Sequence, residues 1–462
     1  MPVSPARAAA FDILLRVERE SSFVSELLHS ATYARLSATD HALTTELVMG
    51  VVRWRSRLDD EIATAAAQPL SKLDLEILVA LRLAVYQFRW LDRIPQRAAL
   101  HESVELVKRA RKRSAAPFAN AVLRRLAAAR QAQIGSENEN APEGLARALA
   151  HPLWFVERWA REYGIATARR ICEHNQSIPS AAIRVRAPIA EGQVSELTEA
   201  GVMLAPGILL SSARRVAAGD ITKARAFRTG RIVIQDEASQ LVAALVGHAP
   251  FEGRPENEIR ILDCCAAPGG KTLAIADHDS RATITAVEIH PHRARLLQRL
   301  LQTRDPSARV QIVAADARRL PLSVRFDRVL ADVPCSGTGT LARNPEIKWR
   351  LQPDDLSRLQ TRQSAILRSA LAQVALGGRV IYSTCSLEKE ENEDVVERVL
   401  ADDNSFHLLD CRKELERMKT VGELTWPDSA TLTRGPYLRT IPGIHPCDGF
   451  FAAILTKTEK SF

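Results

Sequence analysis

From Gly230 onward, short apolar runs alternate with helical segments, and no other feature constrains the fold of this chain as strongly. The runs are Ile259–Leu262, Thr283–Val287, Val310–Ala314, Arg328–Ala331 and Arg379–Ser383. Between them, apolar residues spaced at three and four predict helices such as Pro291–Leu301 and Asp354–Leu376. Strands that are apolar throughout must be covered by helices on both faces, so the pattern predicts a doubly wound, mostly parallel α/β sheet. In such sheets ligands bind at the carboxyl ends of the strands. The residues that follow each run are therefore where chemistry is to be sought.

The 462 residues are too many for one compact domain. Residues 1–132 read as an all-helical domain, with one stripe through Val17, Phe23, Val24, Leu27 and Leu28 and another along Leu73–Leu91. This third holds most of the net charge of +8, and a helix over Ala99–Arg113 ends in Lys108, Arg109, Arg111, Lys112 and Arg113. Such a surface suits a polyanion, nucleic acid first; cations at a helix C-terminus also complement its dipole. Residues 133–144 are polar and predict a linker. Residues 145–229 predict a small α/β domain, with a helix over Leu153–Tyr163, strands at Ala182–Val185 and Val202–Leu204, and Val194–Glu199 helical between them. Residues 230–458 form the expected catalytic domain. No apolar run approaches the ~20 residues of a membrane helix. The seven cysteines form no C-x-x-C pair, which argues against a zinc site and a disulfide framework. A cytoplasmic location is expected.

The first run leads into Asp263-Cys264-Cys265-Ala266-Ala267-Pro268-Gly269-Gly270-Lys271-Thr272. Small residues and paired glycines let a backbone approach a ligand closely, and the following helix offers free N–H groups. Gly-Lys-Thr also ends a phosphate-binding P-loop, but the glycine that motif needs five positions earlier is Cys265. The other ligand that such a turn holds is S-adenosylmethionine. The second run ends at Glu288, placed to bond ribose hydroxyls. The third leads to Asp316, which suits an adenine amino group or a helix cap. The fourth ends Asp332-Val333-Pro334-Cys335-Ser336, and the fifth Tyr382-Ser383-Thr384-Cys385-Ser386.

Two cysteines after adjacent strand ends, beside a cofactor turn, point to covalent chemistry. Carbon 5 of cytosine is a poor nucleophile. A thiolate adding at carbon 6 makes it electron-rich enough to attack a methyl sulfonium. A base then removes the carbon 5 proton and the thiol leaves. One cysteine attacks and the other assists release, while Asp332 stands where it can bond the ring nitrogen.

In order, the segments Cys265–Lys271, Asp332–Ser336, Tyr382–Ser386 and Asp448-Gly-Phe-Phe451 resemble the motifs of the RNA cytosine-C5 methyltransferases. The resemblance covers about half the chain. It implies a Rossmann-like class I methyltransferase fold, with Cys385 as nucleophile and Cys335 assisting release. S-adenosyl-L-methionine would be held by Cys265, Ala266, Ala267, Pro268, Gly269, Gly270, Lys271, Glu288, Asp316 and Asp332. Glu288 stands where the family often has Asp. Residues 1–132, with Ala119-Asn-Ala-Val-Leu-Arg124, resemble the NusB-like RNA-binding domain of the branch that acts on ribosomal RNA. Gln235–Ser239 and Arg343–Trp349 fit the same branch. The implied partner is RNA, 16S ribosomal RNA first and transfer RNA second, with no metal and no membrane. Two other readings are a P-loop nucleotidase, which uses neither cysteine, and a catalytically silent RNA-binding assembly factor. The acidic run Glu388–Asp394 reads mainly as the solvated start of a helix, with a supporting role near Cys385 as the alternative. Trp349 and Lys348 read as core residues or as RNA contacts.

Overall fold

A computed structural model describes residues 3–129 except 21 and 34, and residues 140–185, 196–247, 259–279, 282–304 and 309–458. The chain forms two compact units. One comprises residues 1–178 together with 341–351; the other comprises 179–340 and 352–462.

The first unit is helical. Helices Pro5–Glu20, Val24–Leu28, Ala38–Arg53, Arg55–Ala66, Leu75–Trp90, Gln96–Arg109 and Ala116–Ala128 bury one continuous core. The Leu75–Trp90 helix is its axis: Leu81, Leu83, Ala84 and Val85 are fully buried. Gly50 makes room for it, since a Cβ there would fall 1.9 Å from the Tyr86 ring. Helices Pro142–Ala148, Leu153–Tyr163 and Ile165–Gln176 follow, and Phe155 and Trp159 of the second stack at 5.2 Å in the interior. The stretch 145–229, read above as one small domain, thus divides at Ile178: its helices pack on one another and, through Pro142–Ala148, on Arg55–Ala66 of the helical unit. The linker 133–144 and the start of the Val194–Glu199 helix fall largely outside the described residues.

Residues 341–351 complete this unit. Lys348 is only 1% exposed, and its Nζ donates to the carbonyls of Arg53 (2.8 Å) and Ala150 (3.0 Å). Trp349 Nε1 donates to the Val52 carbonyl at 2.7 Å, and Glu346 accepts from the Val24 N–H at 3.0 Å. Burial pushes the Lys348 ammonium down to about 7. Of the two readings given for Lys348, the core one holds: its donors satisfy backbone carbonyls that are themselves buried.

The second unit carries two sheets. The smaller is antiparallel, order β2-β3-β1-β4, from β1 (Ala182–Val185), β2 (Met203–Pro206), β3 (Ala213–Ala218) and β4 (Ile232–Ile234). The larger has a parallel centre of β5 (Arg260–Asp263), β6 (Thr283–Glu288), β7 (Val310–Ala314), β8 (Phe326–Asp332) and β9 (Val374–Thr384), in the order β9-β8-β5-β6-β7. Antiparallel β13 (Phe451–Lys457) extends it past β9, and β10 (Phe406–Leu409), β11 (Thr433–Arg434) and β12 (Tyr437–Arg439) lie beyond. This is the doubly wound class expected from the sequence. The chain runs outward from β5 through β6 to β7, then returns to the other side of β5 for β8 and β9, so the strand order reverses there. That reversal opens a crevice at the strand ends. The helix expected to reach Leu376 stops at Gln373, where Val374 turns to extended backbone (φ −79°, ψ 142°) and pairs with β8.

Candidate active site

The first turn is built by Asp263, the last residue of β5. Its carboxylate is buried and accepts from Thr272 Oγ1 at 2.7 Å and from the Cys265 N–H at 3.3 Å. It thus joins the strand end to the helix Gly270–His278. Burial raises its carboxyl to about 6; the Thr272 hydrogen bond opposes the rise and the charge of Asp332 adds to it. Gly269 caps the helix at φ +111°, and a Cβ there would lie 2.5 Å from Leu297 Cδ1. Ala266 bonds the Val287 carbonyl through its N–H at 2.9 Å. These contacts shape a backbone cradle that side chains would fill.

A cavity of about 370 Å³ lies at the ends of β5 to β9. Among the residues singled out above, Cys265, Ala267, Glu288, Asp316, Asp332, Cys335 and Cys385 line it. Ala266, Pro268, Gly269, Gly270 and Lys271 are not among its lining residues. Arg293 and Arg362 also border the cavity; nothing in the local sequence distinguishes them from other helical arginines. Glu288 accepts from the His290 N–H at 2.8 Å. Asp316 caps the turn Ala317–Arg319 by accepting from the Arg318 N–H at 2.9 Å, and pairs with the Arg318 guanidinium at 2.6 Å. That guanidinium holds the Asp316 carboxyl below its usual range.

Lys271 Nζ meets Asp332 Oδ2 at 2.8 Å, and Ser383 Oγ donates to Asp332 Oδ1 at 2.7 Å. Each carboxylate oxygen keeps a second lone pair for a ligand. Burial opposes charge on Lys271, but the Asp332 ion pair outweighs it and the ammonium is held above its ordinary value.

The two cysteines meet in the wall of this cavity, Cys335 Sγ 3.2 Å from Cys385 Sγ. Their hydrogen bond pushes the Cys335 thiol well up, and burial adds to the rise. Either sulfur can be the donor in this contact. Cys385 also feels the Lys271 ammonium. Burial drives the Cys264 and Cys265 thiols up as well, so neither is poised to react. Cys172, Cys411 and Cys447 are buried.

The loops after the cysteines are tied together by residues that the sequence reading had placed mainly in solvent. Glu391 and Asn392 are fully buried. Glu391 accepts from the Ser336 N–H and from Gln363 Nε2, each at 2.8 Å, and from the hydroxyls of Ser336 and Ser386. Asn392 Nδ2 donates to the Ser386 carbonyl at 2.9 Å. Gly339 N–H bonds the Cys385 carbonyl at 2.9 Å, and Gly449 N–H bonds the Gly339 carbonyl at 2.8 Å. The signal in the sequence was a dense acidic run directly after a cysteine loop; its burial depends on contacts that local pattern does not carry.

Residues 253–456 match the family model of the 16S rRNA methyltransferase RsmB/F, and residues 4–128 match the NusB family. A probable ribosomal RNA small subunit methyltransferase B of Bacillus subtilis is 31% identical, over 99% of this chain and 100% of its own. The ribosomal RNA small subunit methyltransferase B of Pseudomonas putida is also 31% identical, over 99% and 100%. Among solved structures, a methyltransferase homolog protein from Pyrococcus horikoshii is 26% identical with a TM-score of 0.55, covering 70% of this chain and 99% of its own.

Proposed function

The chain belongs to the RsmB/F family of rRNA methyltransferases, and from that premise we propose that it transfers the methyl group of S-adenosylmethionine to carbon 5 of a cytosine in 16S ribosomal RNA. The observation that carries the reading is the pair of thiols 3.2 Å apart in the lining of a strand-end cavity.

The residues present fit the cofactor. The cavity falls within the ~300–1,000 Å³ of small-molecule sites. Gly269 lets the turn pack closely on Leu297 and so sets the path of the backbone between β5 and the following helix. Glu288 offers carboxylate oxygens for ribose hydroxyls, Asp316 for the adenine edge, and Asp332 with Lys271 for the charged amino-acid end. When bound, the cofactor supplies an electrophilic methyl on a sulfonium.

The chain's own residues do the rest. Cys385 adds to carbon 6 as the thiolate, through its sulfur electron pair. Asp332, acting as the acid, donates a proton to ring N3 as negative charge develops there and recovers it when Cys385 leaves. After the methyl has joined carbon 5, Cys335 passes its own proton to the departing Cys385 sulfur and takes up the carbon 5 proton in its place; the electron pair of that C–H bond restores the carbon 5–carbon 6 double bond as the carbon 6–sulfur bond breaks. The helical NusB-like region holds the RNA through its basic surface.

The test is covalent capture. Wild-type protein, Cys385→Ala and Cys335→Ala are each incubated with rRNA and cofactor and run on a denaturing gel. Cys335→Ala is expected to accumulate an RNA adduct, and Cys385→Ala to form none and to transfer no methyl. A fully active Cys385→Ala enzyme refutes the mechanism.

A further inference from the structure

Nothing in the chemistry above explains why a carboxylate should be buried behind two thiols. Glu391 is fully buried, and four donors converge on it. Two of the four come from Ser336 and one from Ser386, the residues that directly follow Cys335 and Cys385. A single side chain thus anchors both cysteine turns one residue from each thiol. The remaining donor, Gln363 Nε2, also reaches the Pro334 carbonyl at 3.0 Å, so the turn is held on both sides of Cys335. Tyr382, on the strand that delivers Cys385, donates its hydroxyl to the Glu391 carbonyl.

We propose that Glu391 is a positioning residue of the two-thiol centre: it locks the turns after Cys335 and Cys385 to one another, and its charge keeps the shared proton on Cys335, leaving Cys385 with the nucleophilic electron pair. This rests on Cys385 being the nucleophile. The charged groups around the thiols are arranged for such a division. The field of Glu391 acts on Cys335 and raises its thiol, behind the larger effects of the bond to Cys385 and burial. From the first turn, the Lys271 ammonium acts on Cys385, with Asp332 paired to it. Arg362 borders the cavity that both thiols line. An anion beside one thiol and a cation beside the other break the symmetry of an otherwise matched pair. A neutral hydrogen-bonding residue could tie the turns but could not supply that bias.

The experiment uses the full chain without RNA or cofactor. Limiting iodoacetamide is applied between pH 6 and 9, and the Cys335 and Cys385 peptides are quantified by mass spectrometry. Wild-type protein is expected to alkylate Cys385 faster than Cys335 by roughly tenfold or more. In Glu391→Gln the ratio falls severalfold, with the Lys271 cation still beside Cys385; Glu391→Asp, which keeps the charge, recovers most of the preference. Ser336→Ala removes one hydroxyl donor and no charge, so it keeps the preference even where Glu391→Gln fails to fold by circular dichroism. Equal labelling in the wild type, or an unchanged ratio in folded Glu391→Gln, overturns the proposal. Labelling needs no methyl transfer, so that outcome is distinct from an active Cys385→Ala enzyme, which sinks the nucleophile assignment instead.

Discussion

Gly339 is the position where the geometry of the two-thiol centre can be disturbed by a single methyl group. It lies in the loop after Cys335, against Gly449. A Cβ on Gly339 would sit 2.1 Å from the Gly449 carbonyl oxygen and 2.7 Å from its carbon, where ordinary contact begins at 3.4 Å. Both partners are backbone, so no side chain can swing away. The loops must separate by roughly 1 Å, and overpacking of this kind costs about 1–3 kcal/mol. The separation strains two bonds, Gly449 N–H to the Gly339 carbonyl and Gly339 N–H to the Cys385 carbonyl, so it is passed on to the nucleophile. A misplacement near 1 Å in a catalytic constellation lowers a rate by about 10²-fold. Gly339→Ala should therefore keep its fold, lose that much stability in urea denaturation, and lose about two orders of magnitude in single-turnover methyl transfer with cofactor saturating. Wild-type stability together with wild-type turnover would refute the argument that these glycines set the spacing of the loops.

Two further outcomes follow from the charges. Asp263 holds its proton up to about 6 in the folded state against 3.8 for an ordinary aspartate, so its contribution to stability is full below pH 4 and is lost as pH rises through 6. Wild-type protein should lose up to about 3 kcal/mol relative to Asp263→Asn between pH 4 and pH 7, and parallel denaturation curves would contradict this. In the basic cluster of the helical unit, Lys108, Arg109 and Lys112 are paired with Glu105, Asp12 and Asp74, whereas Arg111 and Arg113 are exposed and show no ion pair among the described residues. Replacing Arg111 and Arg113 by Glu should weaken RNA binding and reduce the slope of log K against log salt by roughly 0.7 per arginine for single-stranded RNA; replacing Lys112 should do less.

The central parallel strands were legible because they are buried on both faces and read as near-continuous apolar runs: Thr283–Val287 of the sequence ends one residue short of β6, Thr283–Glu288. The cysteine loops were legible because strand ends are where an α/β sheet places its ligands. What local pattern does not carry is the long-range destination of polar residues. Lys348 looks like a surface cation until the Arg53 and Ala150 carbonyls, far away in sequence, are found to receive its ammonium group. Glu391 sits in a run of acids that by composition belongs in water, yet four donors from three other segments surround it. The helix meant to reach Leu376 was misjudged for a simpler reason. Val374, Ala375 and Leu376 continue its apolar spacing, but Val374 pairs with Phe326 at the start of β8.

The central claim is that Cys385 carries methyl transfer to carbon 5 of a cytosine in 16S ribosomal RNA. Its most direct measurement is bisulfite mapping of 16S RNA after incubation with cofactor and either wild-type protein or Cys385→Ala. The account predicts a protected cytosine in the wild-type reaction and none in the variant. Protection by both proteins, or a transferred methyl group found on any atom other than carbon 5, would contradict it.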